Sequence, residues 1–300
     1  MNNFLEYFYK IKVTEFTNHK KYISFIYNNN LYKLYIYEEP ITINIPYNIY
    51  EKLSSSTLTS EIIKNYQNEL ITTYNNYQYI LLKLYANPKK NITLEEISAL
   101  SNTIYTENLS INWGILWSNK IDYLEELINE NGKKYPILVD SFNYYVGLAE
   151  NAISYYNSIT IEDNYKYYIT HKHLRTSDTV EALYNPLNII FDYKVRDIAE
   201  YLKISFYNNN KHVFTELNNY LTTNQLSLTD IKLLIARLLY PSFYFDMYED
   251  ILIDNQEEQI IINITSKTSD YETYLNQIIT YLKKYYDVDT IPWLQRKNED

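Results

Sequence analysis

Cysteine is absent from this chain of 300 residues, and glycine (three) and arginine (four) are scarce. Without cysteine, the protein has no disulfide bond, no thiolate metal site and no thiol nucleophile. No apolar run approaches the ~18 residues that a membrane-spanning helix needs, so no membrane insertion is predicted. The N-terminal residues MNNFLEYFYKIK lack the basic and apolar segments of a signal peptide, so cytoplasmic synthesis as a soluble protein is expected.

Positive charge is scarce as well. The 27 lysines and arginines are outnumbered by 37 aspartates and glutamates, which gives a net charge of −10. No stripe of basic residues occurs locally, and a nucleic-acid-binding surface needs one. The sequence therefore predicts a globular acidic protein that does not bind nucleic acid.

Tyrosine is abundant, because 37 are present together with many asparagines, isoleucines and lysines. This composition, with little glycine, arginine or alanine, is typical of an AT-rich genome. The functional alternative is that the tyrosines serve oxidative cross-linking in a protein shell. Because the composition disfavours glycine and arginine, each one that remains is a candidate for a specific role.

The N-terminal part has the pattern of β-structure. Residues 22–39 form two β-rich runs around the three asparagines 28–30, and asparagine tolerates the positive φ of a hairpin turn. From residue 57 onward, and clearly in EIIKNYQNELITTY (61–74), the pattern predicts a helix. A buried strand is then predicted at 77–86 and ends at Asn87-Pro88.

After residue 90 nearly every segment has helical periodicity. Three helix starts are predicted at 93–96, 227–230 and 269–272, because each pairs Ser or Thr with an acid three residues later. The sequence thus predicts an α+β protein with a small β-rich N-lobe (1–88) and a larger, mainly helical C-lobe (89–300).

The segment from residue 171 to residue 192 contains candidate catalytic and metal-binding residues. Its spacing resembles the loop H-G-D-x-x-x-x-N of phosphotransferases of the aminoglycoside-kinase type, in which Asp orients the substrate hydroxyl and Asn holds Mg²⁺. His171 matches the loop histidine, His173 stands at the position of the catalytic Asp, and Asp178 at that of the Asn. Asp192 ends the apolar run NIIFD, where the resemblance implies a second metal-binding carboxylate.

The departures from this pattern favour impaired phosphoryl transfer. A neutral imidazole at His173 accepts a proton but lacks the charge of the carboxylate. The first glycine is Gly114, so the N-lobe has no glycine-rich phosphate loop. Lys33 is the best candidate for a phosphate-contacting lysine, and an exposed strand lysine explains it equally well. ATP and Mg²⁺ are therefore expected only if nucleotide binding has been retained, with Asp192 and Asp178 holding the metal.

Four segments of the predicted C-lobe resemble one known group of proteins. They are YYVGLAENAISYY (144–156), YNPLNIIFDYKVRDIAEYLKISF (184–206), ARLLYPSFYFDMYEDIL (236–252) and IPWLQRK (291–297). Together they are similar to the YutH-type spore coat proteins of the CotS-related bacterial spore kinase group. The resemblance implies a bilobal, protein-kinase-like fold of the aminoglycoside phosphotransferase type, a catalytic loop that has degenerated, and a place in the spore coat among other coat proteins.

Structural interpretations compete with these roles. His171 and His173 are metal-ligand candidates, because alternate residues of a strand share a face, and Asp178 or Asp192 would complete the site. The alternative is a buried, hydrogen-bonded His171 and a partly exposed His173. The three tryptophans are expected to pack in the core rather than to form a ligand platform: Trp113, Trp117 and Trp293.

Two ion pairs are also predicted. Arg196 and Glu200 lie one helical turn apart and are expected to pair on the helix surface. Arg237 lies in the apolar helix LLIARLLY, so a buried acid is expected beside it, with Asp197 as the first candidate.

Three functional hypotheses follow. The favoured one is a weak or inactive kinase-like protein with a structural or interaction role in spore coat assembly. The second is a working phosphotransferase that uses Asp192 and Asp178 for Mg²⁺ and His173 as base. The third is a nucleotide-binding pseudokinase whose ligand only stabilises a binding surface.

Overall fold

The computed structural model describes residues 1–19, 22–38, 60–84, 91–101, 104–105, 109–175, 180–254 and 256–295. Asp178 and the predicted strand end at 87–88 lie outside these residues. The chain divides into two compact units. The first unit comprises Met1–Ile92, His171–His173 and Ser177–Ile190, and the second comprises Thr93–Thr170, Leu174–Thr176 and Phe191–Asp300.

The first unit contains a helix and an antiparallel sheet. Helix α1 (Asn2–Tyr9) is followed by strands β1 (Thr17–Asn18), β2 (Tyr22–Tyr27), β3 (Asn30–Tyr37), β4 (Ser60–Ile63), β5 (Thr72–Tyr74) and β6 (Tyr77–Leu84). The strand order is β1-β2-β3-β6-β4, and β5 pairs with β6. The β-rich N-terminal part is thus confirmed.

Asparagines form both tight hairpin turns of this sheet. Asn28 and Asn29 connect β2 to β3 with φ values of 47° and 60°, which confirms the predicted hairpin. Asn75 and Asn76 connect β5 to β6 with φ values of 49° and 66°. A two-residue turn with positive φ at both positions matches the twist of the flanking strands, and here asparagine supplies it in place of glycine.

The helix predicted in segment 61–74 is wrong, because the segment contains the two strands β4 and β5 joined by a turn. The Asn65 side chain shapes this turn by accepting the backbone N–H groups of Gln67 (2.9 Å) and Glu69 (3.0 Å). Asn68 has a φ of 67°, which a helix does not allow. The β-branched isoleucines and threonines of the segment pair with β6, so long-range pairing overrides the local helical pattern.

One face of the sheet packs against α1. The core of this unit combines the apolar side of α1, two residues of the segment after it and side chains of the facing strands: Phe4, Leu5, Phe8, Tyr9, Ile11, Val13, Phe25, Tyr32, Leu34 and Leu81. Side chains alternate along a strand, so Lys33 projects from the opposite face of the sheet, next to Ser24 and Leu82 of the neighbouring strands.

After Ile92 the chain is mainly helical. Its longer helices are α2 (Leu94–Ser101), α3 (Trp113–Asn131), α4 (Pro136–Asn157), α6 (Arg196–Tyr207), α7 (Val213–Thr223), α8 (Leu228–Leu239), α9 (Ser242–Asp254) and α11 (Thr268–Leu282). The short ones are α5 (Val180–Leu183), α10 (Ile262–Thr265) and α12 (Pro292–Gln295). Strands β7 (Ile104–Tyr105), β8 (Tyr167–His171) and β9 (Ile189–Asp192) form a second sheet in that order. The predicted α+β class is confirmed.

Two of the three predicted helix starts are confirmed. At 93–96 and 227–230 the hydroxyl of the first residue accepts a hydrogen bond from the backbone N–H of the acid three residues later. The carboxylate of that acid accepts one from the backbone N–H of the first residue, so both form capping boxes. The start predicted at 269–272 is wrong, since α11 begins at Thr268 and its N-cap residue Lys267 makes no side-chain cap bond.

Helix α8 lies at the centre of the second unit and packs against α4, α6 and α11. Gly114, at the start of α3, allows a close approach to the end of α4. A Cβ atom at that position would lie 2.5 Å from Oδ1 of Asn157 and 3.3 Å from the ring of Tyr156. In the part of the chain that the structure describes, every helix is too short or too polar to cross a membrane.

Candidate functional site

Asp192 ends strand β9 and is only 3% exposed. The indole Nε1 of Trp113 donates to both carboxylate oxygens, at 3.0 Å and 3.1 Å. The backbone N–H of Tyr193 donates to Oδ1 at 2.7 Å, and Nη1 of Arg196 donates to Oδ2 at 2.6 Å. Three different side-chain or backbone donors therefore hold this carboxylate.

These contacts determine what Asp192 can still bind. An ionised carboxylate has about four lone-pair sites. Each oxygen of Asp192 already receives two contacts, one of them from the charged guanidinium of Arg196. These four contacts come from three donors, since the one indole N–H is shared by both oxygens, and a metal ion at this carboxylate would compete with the charge of Arg196.

The predicted pairing of Arg196 with Glu200 is wrong. Arg196 forms an ion pair with Asp192, four residues before it at the end of β9, instead of with Glu200, four residues after it on α6. Glu200 is buried rather than on the helix surface, so it pairs with other cations inside the unit.

The buried acid beside Arg237 is Glu200, not Asp197. Nε of Arg237 donates to Oε1 of Glu200 at 2.7 Å, and Nζ of Lys203 lies 3.2 Å from the same oxygen. Ser242 donates to the second oxygen of Glu200 at 2.9 Å. The prediction that Arg237 needs a buried acid is confirmed, while the acid that it named is wrong.

The pKa values of this cluster follow from burial and mutual charge. Burial acts to raise the pKa of Glu200, but the charges of Lys203 and Arg237 outweigh it and lower that pKa to about 2. Burial lowers the pKa of Lys203 to about 8, although the charge of Glu200 opposes this. Burial also acts to lower the pKa of Arg237, and Glu200 more than compensates, so that pKa is raised.

Trp113 joins this cluster to Asp192, and Trp117 packs beside it. The guanidinium carbon of Arg237 lies 5.5 Å from the ring centroid of Trp113 and 5.9 Å from that of Trp117, within cation–π range. Both rings are buried, as the core-packing interpretation predicts. Contacts therefore run continuously through six side chains, called here the buried charge network: Asp192, Arg196, Trp113, Arg237, Glu200 and Lys203.

The histidine segment is ordered by its neighbours in the first unit. His171 ends β8 and is buried, with Nε2 2.7 Å from the backbone oxygen of Leu183. Because a carbonyl only accepts, Nε2 carries the proton. The side chain of Asn188 accepts the backbone N–H of His173 at 3.2 Å and donates to its carbonyl at 2.9 Å. Sequence reasoning missed Asn188, which lies within the family-like segment YNPLN but in no recognised motif.

His171 and His173 do not share a face. The strand ends at His171, whose side chain is buried, whereas His173 lies beyond the strand and is exposed. This agrees with the structural interpretation rather than with a histidine metal pair. Among the described residues no group of three or more potential metal ligands occurs, and Asp178 is not one of those residues.

Lys33 lies among aromatic side chains of the first sheet. Its Nζ is 5.2 Å from the ring centroid of Tyr22, and the His19 ring stacks on that same tyrosine at 4.4 Å. His19 Nε2 lies 2.9 Å from the Ser24 hydroxyl. Strand β1 ends at Asn18 and β2 begins at Tyr22. The sequence HKK (19–21) between them contains no glycine, unlike the loop G-x-G-x-x-G that covers phosphates in kinases.

Solved structures similar to this chain are phosphotransferases. An aminoglycoside phosphotransferase from Alicyclobacillus acidocaldarius matches with a TM-score of 0.62 and 9% identity over 91% of this chain and 93% of its own. The AMP-bound spectinomycin phosphotransferase matches with a TM-score of 0.55 and 13% identity over 92% and 93%. These likenesses confirm the aminoglycoside phosphotransferase type of fold.

A curated relative is the endospore coat-associated protein YutH of Bacillus subtilis (strain 168), 30% identical over 185 residues. The match spans 55% of this chain and 55% of that protein, so it covers about half the length of the relative. The model of the family "Spore coat putative kinase YutH" matches residues 2–285. This chain therefore belongs to the YutH family of kinase-like spore coat proteins.

Proposed function

We propose that this protein is a pseudokinase with a structural or interaction role in spore coat assembly. The observation that carries the proposal is the occupation of Asp192. The carboxylate expected to hold Mg²⁺ instead accepts bonds from Trp113, Tyr193 and Arg196 in a buried position. An acid saturated by donors in this way stabilises the fold.

The other predicted catalytic residues support the same proposal. His173 offers an imidazole where the related loops have a carboxylate, so it lacks the negative charge that orients a substrate hydroxyl. His171 holds its segment through the carbonyl of Leu183, which is a positioning role compatible with any function. Lys33 lies against Tyr22, and no glycine precedes Gly114 to bring backbone amides close to a phosphate.

The cellular place of this role rests on the relatives. The similar protein of Bacillus subtilis is named as endospore coat-associated, and the family model carries the same location in its description. We infer that this protein is also found in the spore coat, where other coat proteins are its partners.

One observation favours an active phosphotransferase instead. His173 is exposed on a backbone that Asn188 holds from both sides, as a presented base would need. In that mechanism Asp192 and Asp178 would bind Mg²⁺, Lys33 would contact phosphate and His173 would take the proton. Arg196 would then have to release Asp192.

The melting temperature of the wild-type protein and of Asp192→Asn, each with and without millimolar Mg-ATP, tests the proposal. We expect no nucleotide-dependent shift in the wild type. We expect the variant to melt at a lower temperature even without nucleotide, because asparagine is uncharged and cannot form the ion pair with Arg196. A ligand at 100 times its Kd would stabilise by about 2.7 kcal/mol, which this measurement detects easily.

A nucleotide-dependent stabilisation that Asp192→Asn abolishes would contradict the structural proposal and favour the nucleotide-binding alternatives. His173→Ala separates those two. Phosphate release from ATP that falls by orders of magnitude in this variant would indicate an active enzyme with His173 as its base. Binding without turnover would indicate a pseudokinase that retains nucleotide.

A further inference from the structure

Two exposed tyrosines of the first unit lie side by side. Tyr7 on α1 is 58% exposed, and Tyr66 in the turn between β4 and β5 is 49% exposed. Their hydroxyl oxygens are 3.4 Å apart, and their ring centroids are 5.2 Å apart at an angle of 76°. The two residues are separated by 59 positions in the sequence, so the fold brings them together.

Backbone and ring contacts hold this pair in place. The backbone N–H of Tyr66 donates to the carbonyl oxygen of Phe8 at 2.8 Å, which fixes the turn against the end of α1. The Phe8 ring lies 4.9 Å from that of Tyr7 and 5.8 Å from that of Tyr66. The Asn65 side chain orders the same turn. The fold of the first unit therefore holds Tyr7 and Tyr66 next to each other.

We propose that Tyr7 and Tyr66 form an oxidative coupling site, at which a haem peroxidase with hydrogen peroxide joins the two rings into a dityrosine within one chain. Exposure lets a one-electron oxidant reach both phenols, and the ring separation lets the two radicals combine after little movement. The tyrosine-rich composition makes neighbouring tyrosines common, and Tyr281 and Tyr285 also have ring centroids 5.5 Å apart, but Tyr281 is half-buried, whereas Tyr7 and Tyr66 are both exposed.

The chemistry balances as follows. Each phenol gives one electron and its hydroxyl proton to the oxidant, leaving a phenoxyl radical on each ring. A carbon–carbon bond forms between the ring carbons next to the two oxygens, and the hydrogen on each of these carbons then moves to its oxygen and restores the phenol. Hydrogen peroxide takes up the two electrons and two protons and becomes two water molecules.

A second tyrosine pair provides the internal comparison. Tyr156 and Tyr193 have hydroxyl oxygens only 2.9 Å apart, closer than those of Tyr7 and Tyr66, but both side chains are buried. Tyr285 is the most exposed tyrosine among the described residues at 63%, and it lies outside the coupling site. These residues separate the effect of proximity from that of exposure.

The experiment treats the full chain, at low protein concentration, with a haem peroxidase and hydrogen peroxide. Dityrosine fluorescence in monomer separated by gel electrophoresis gives the yield. Tryptic peptides identify the site, because Tyr7 lies on the peptide that ends at Lys10 and Tyr66 on the one that begins after Lys64. We expect these two peptides to be joined, with a mass lower than their sum by a pair of hydrogen atoms.

Tyr7→Phe and Tyr66→Phe each keep the ring packing and remove one phenol, so we expect each to abolish the joined peptide. Tyr285→Phe is the matched control and should leave the yield of this joined peptide unchanged, because it removes an exposed phenol beside Tyr281 and not one of the coupling pair. Melting curves of all variants before oxidation show whether each is folded. The coupled wild-type chain should also unfold at higher urea concentration, because the new bond links α1 to the β4–β5 turn.

The proposal is overturned if the joined peptide is absent from oxidised wild-type monomer, or if folded Tyr7→Phe yields it undiminished. It is also overturned if dityrosine occurs only between chains and rises with protein concentration. Coupling of Tyr156 with Tyr193 at equal yield in the folded protein would show that exposure does not select the site.

Discussion

The two units differ in where they keep charged side chains. Among the described residues, the first unit buries only uncharged polar groups and His171, whereas the second buries six acids and bases: Asp192, Asp197, Glu200, Lys203, Arg237 and Glu272. Lys33, the charged candidate of the first unit, is only half-buried. Replacing a charged side chain of the first unit should therefore change the free energy of unfolding less than replacing one of the six buried charged side chains of the second unit.

This difference explains which parts of a kinase-like site persist. A buried charge with several donors or acceptors cannot be removed without leaving a partner unpaired, which costs several kcal/mol. The network from Asp192 to Lys203 is thus retained by the stability of the unit, whether or not phosphate is transferred.

The largest expected effect is alkaline unfolding driven by the second unit. Burial raises the pKa of six of its tyrosines well above the usual value: Tyr207, Tyr220, Tyr240, Tyr244, Tyr271 and Tyr274. A raised pKa in the folded state gives stability below the unfolded pKa, and this stability is lost as pH rises. At pH 11 each such tyrosine costs about 1.4 kcal/mol, so together they approach the 5–15 kcal/mol of a typical domain.

Urea unfolding at pH 7, 10 and 11, with tyrosinate absorbance followed in parallel, checks this prediction. The unfolding midpoint should fall steeply above pH 10, and the absorbance should rise together with unfolding. A protein that remains folded at pH 11 with all its tyrosines ionised would contradict the buried arrangement.

The next effect is that of Glu200→Gln. The substitution keeps the shape but leaves Arg237 and Lys203 buried without their counter-charge, so we expect a loss of about 4 kcal/mol in the free energy of unfolding. Arg237→Leu is the matched variant, and it should cost less because Glu200 keeps Lys203 as a partner. Urea denaturation of both variants gives the order, and a larger loss for Arg237→Leu would refute the central role of Glu200.

Acid should weaken the second unit through the same residue. The pKa of Glu200 is lowered from 4.5 to about 2 by Lys203 and Arg237 against the opposing effect of burial. A lowered pKa gives stability above the unfolded value, so about 3 kcal/mol is lost as pH falls from 5 to 2. Melting temperatures across this range should fall less in Glu200→Gln than in the wild type. Parallel curves for the two proteins would show that other groups cause the acid sensitivity.

Lys33→Met should have the smallest effect. The side chain is half-buried on the sheet and its contact with the Tyr22 ring is of the cation–π type, so we expect a change within about 0.5–1 kcal/mol. Urea denaturation measures it beside Glu200→Gln. A loss as large as that of Glu200→Gln would remove the contrast between the units.

Local turn chemistry was the most predictable part of the fold. The hairpin at Asn28 and Asn29 and the capping boxes at 93–96 and 227–230 depend on a few neighbouring residues, so the sequence identifies them. Segment 61–74 was predicted as a helix because its apolar spacing is compatible with one. Its pairing with β6 involves residues more distant in the chain, which local periodicity does not contain.

The candidate site was predictable in kind but not in detail. The apolar surroundings of Arg237 require a buried acid, and one is present. The choice of Glu200 over Asp197 depends on the rotation of α6 against α8, which the sequence does not specify. Arg196 is the first residue of α6 and pairs with Asp192 at the end of β9, a contact outside the helix that helical spacing does not predict.

Glycine has two uses in proteins, and this chain separates them. One use is to adopt positive φ. In the described residues asparagine takes over this use, because it occupies six of the seven positions with positive φ and no glycine has positive φ. The lack of a side chain is the other use, and it applies at Gly114, where a Cβ would lie 2.5 Å from Oδ1 of Asn157 and would require that side chain to shift. Low glycine content is therefore uninformative about turns with positive φ, and informative about segments where the backbone must approach a ligand closely, such as a phosphate loop.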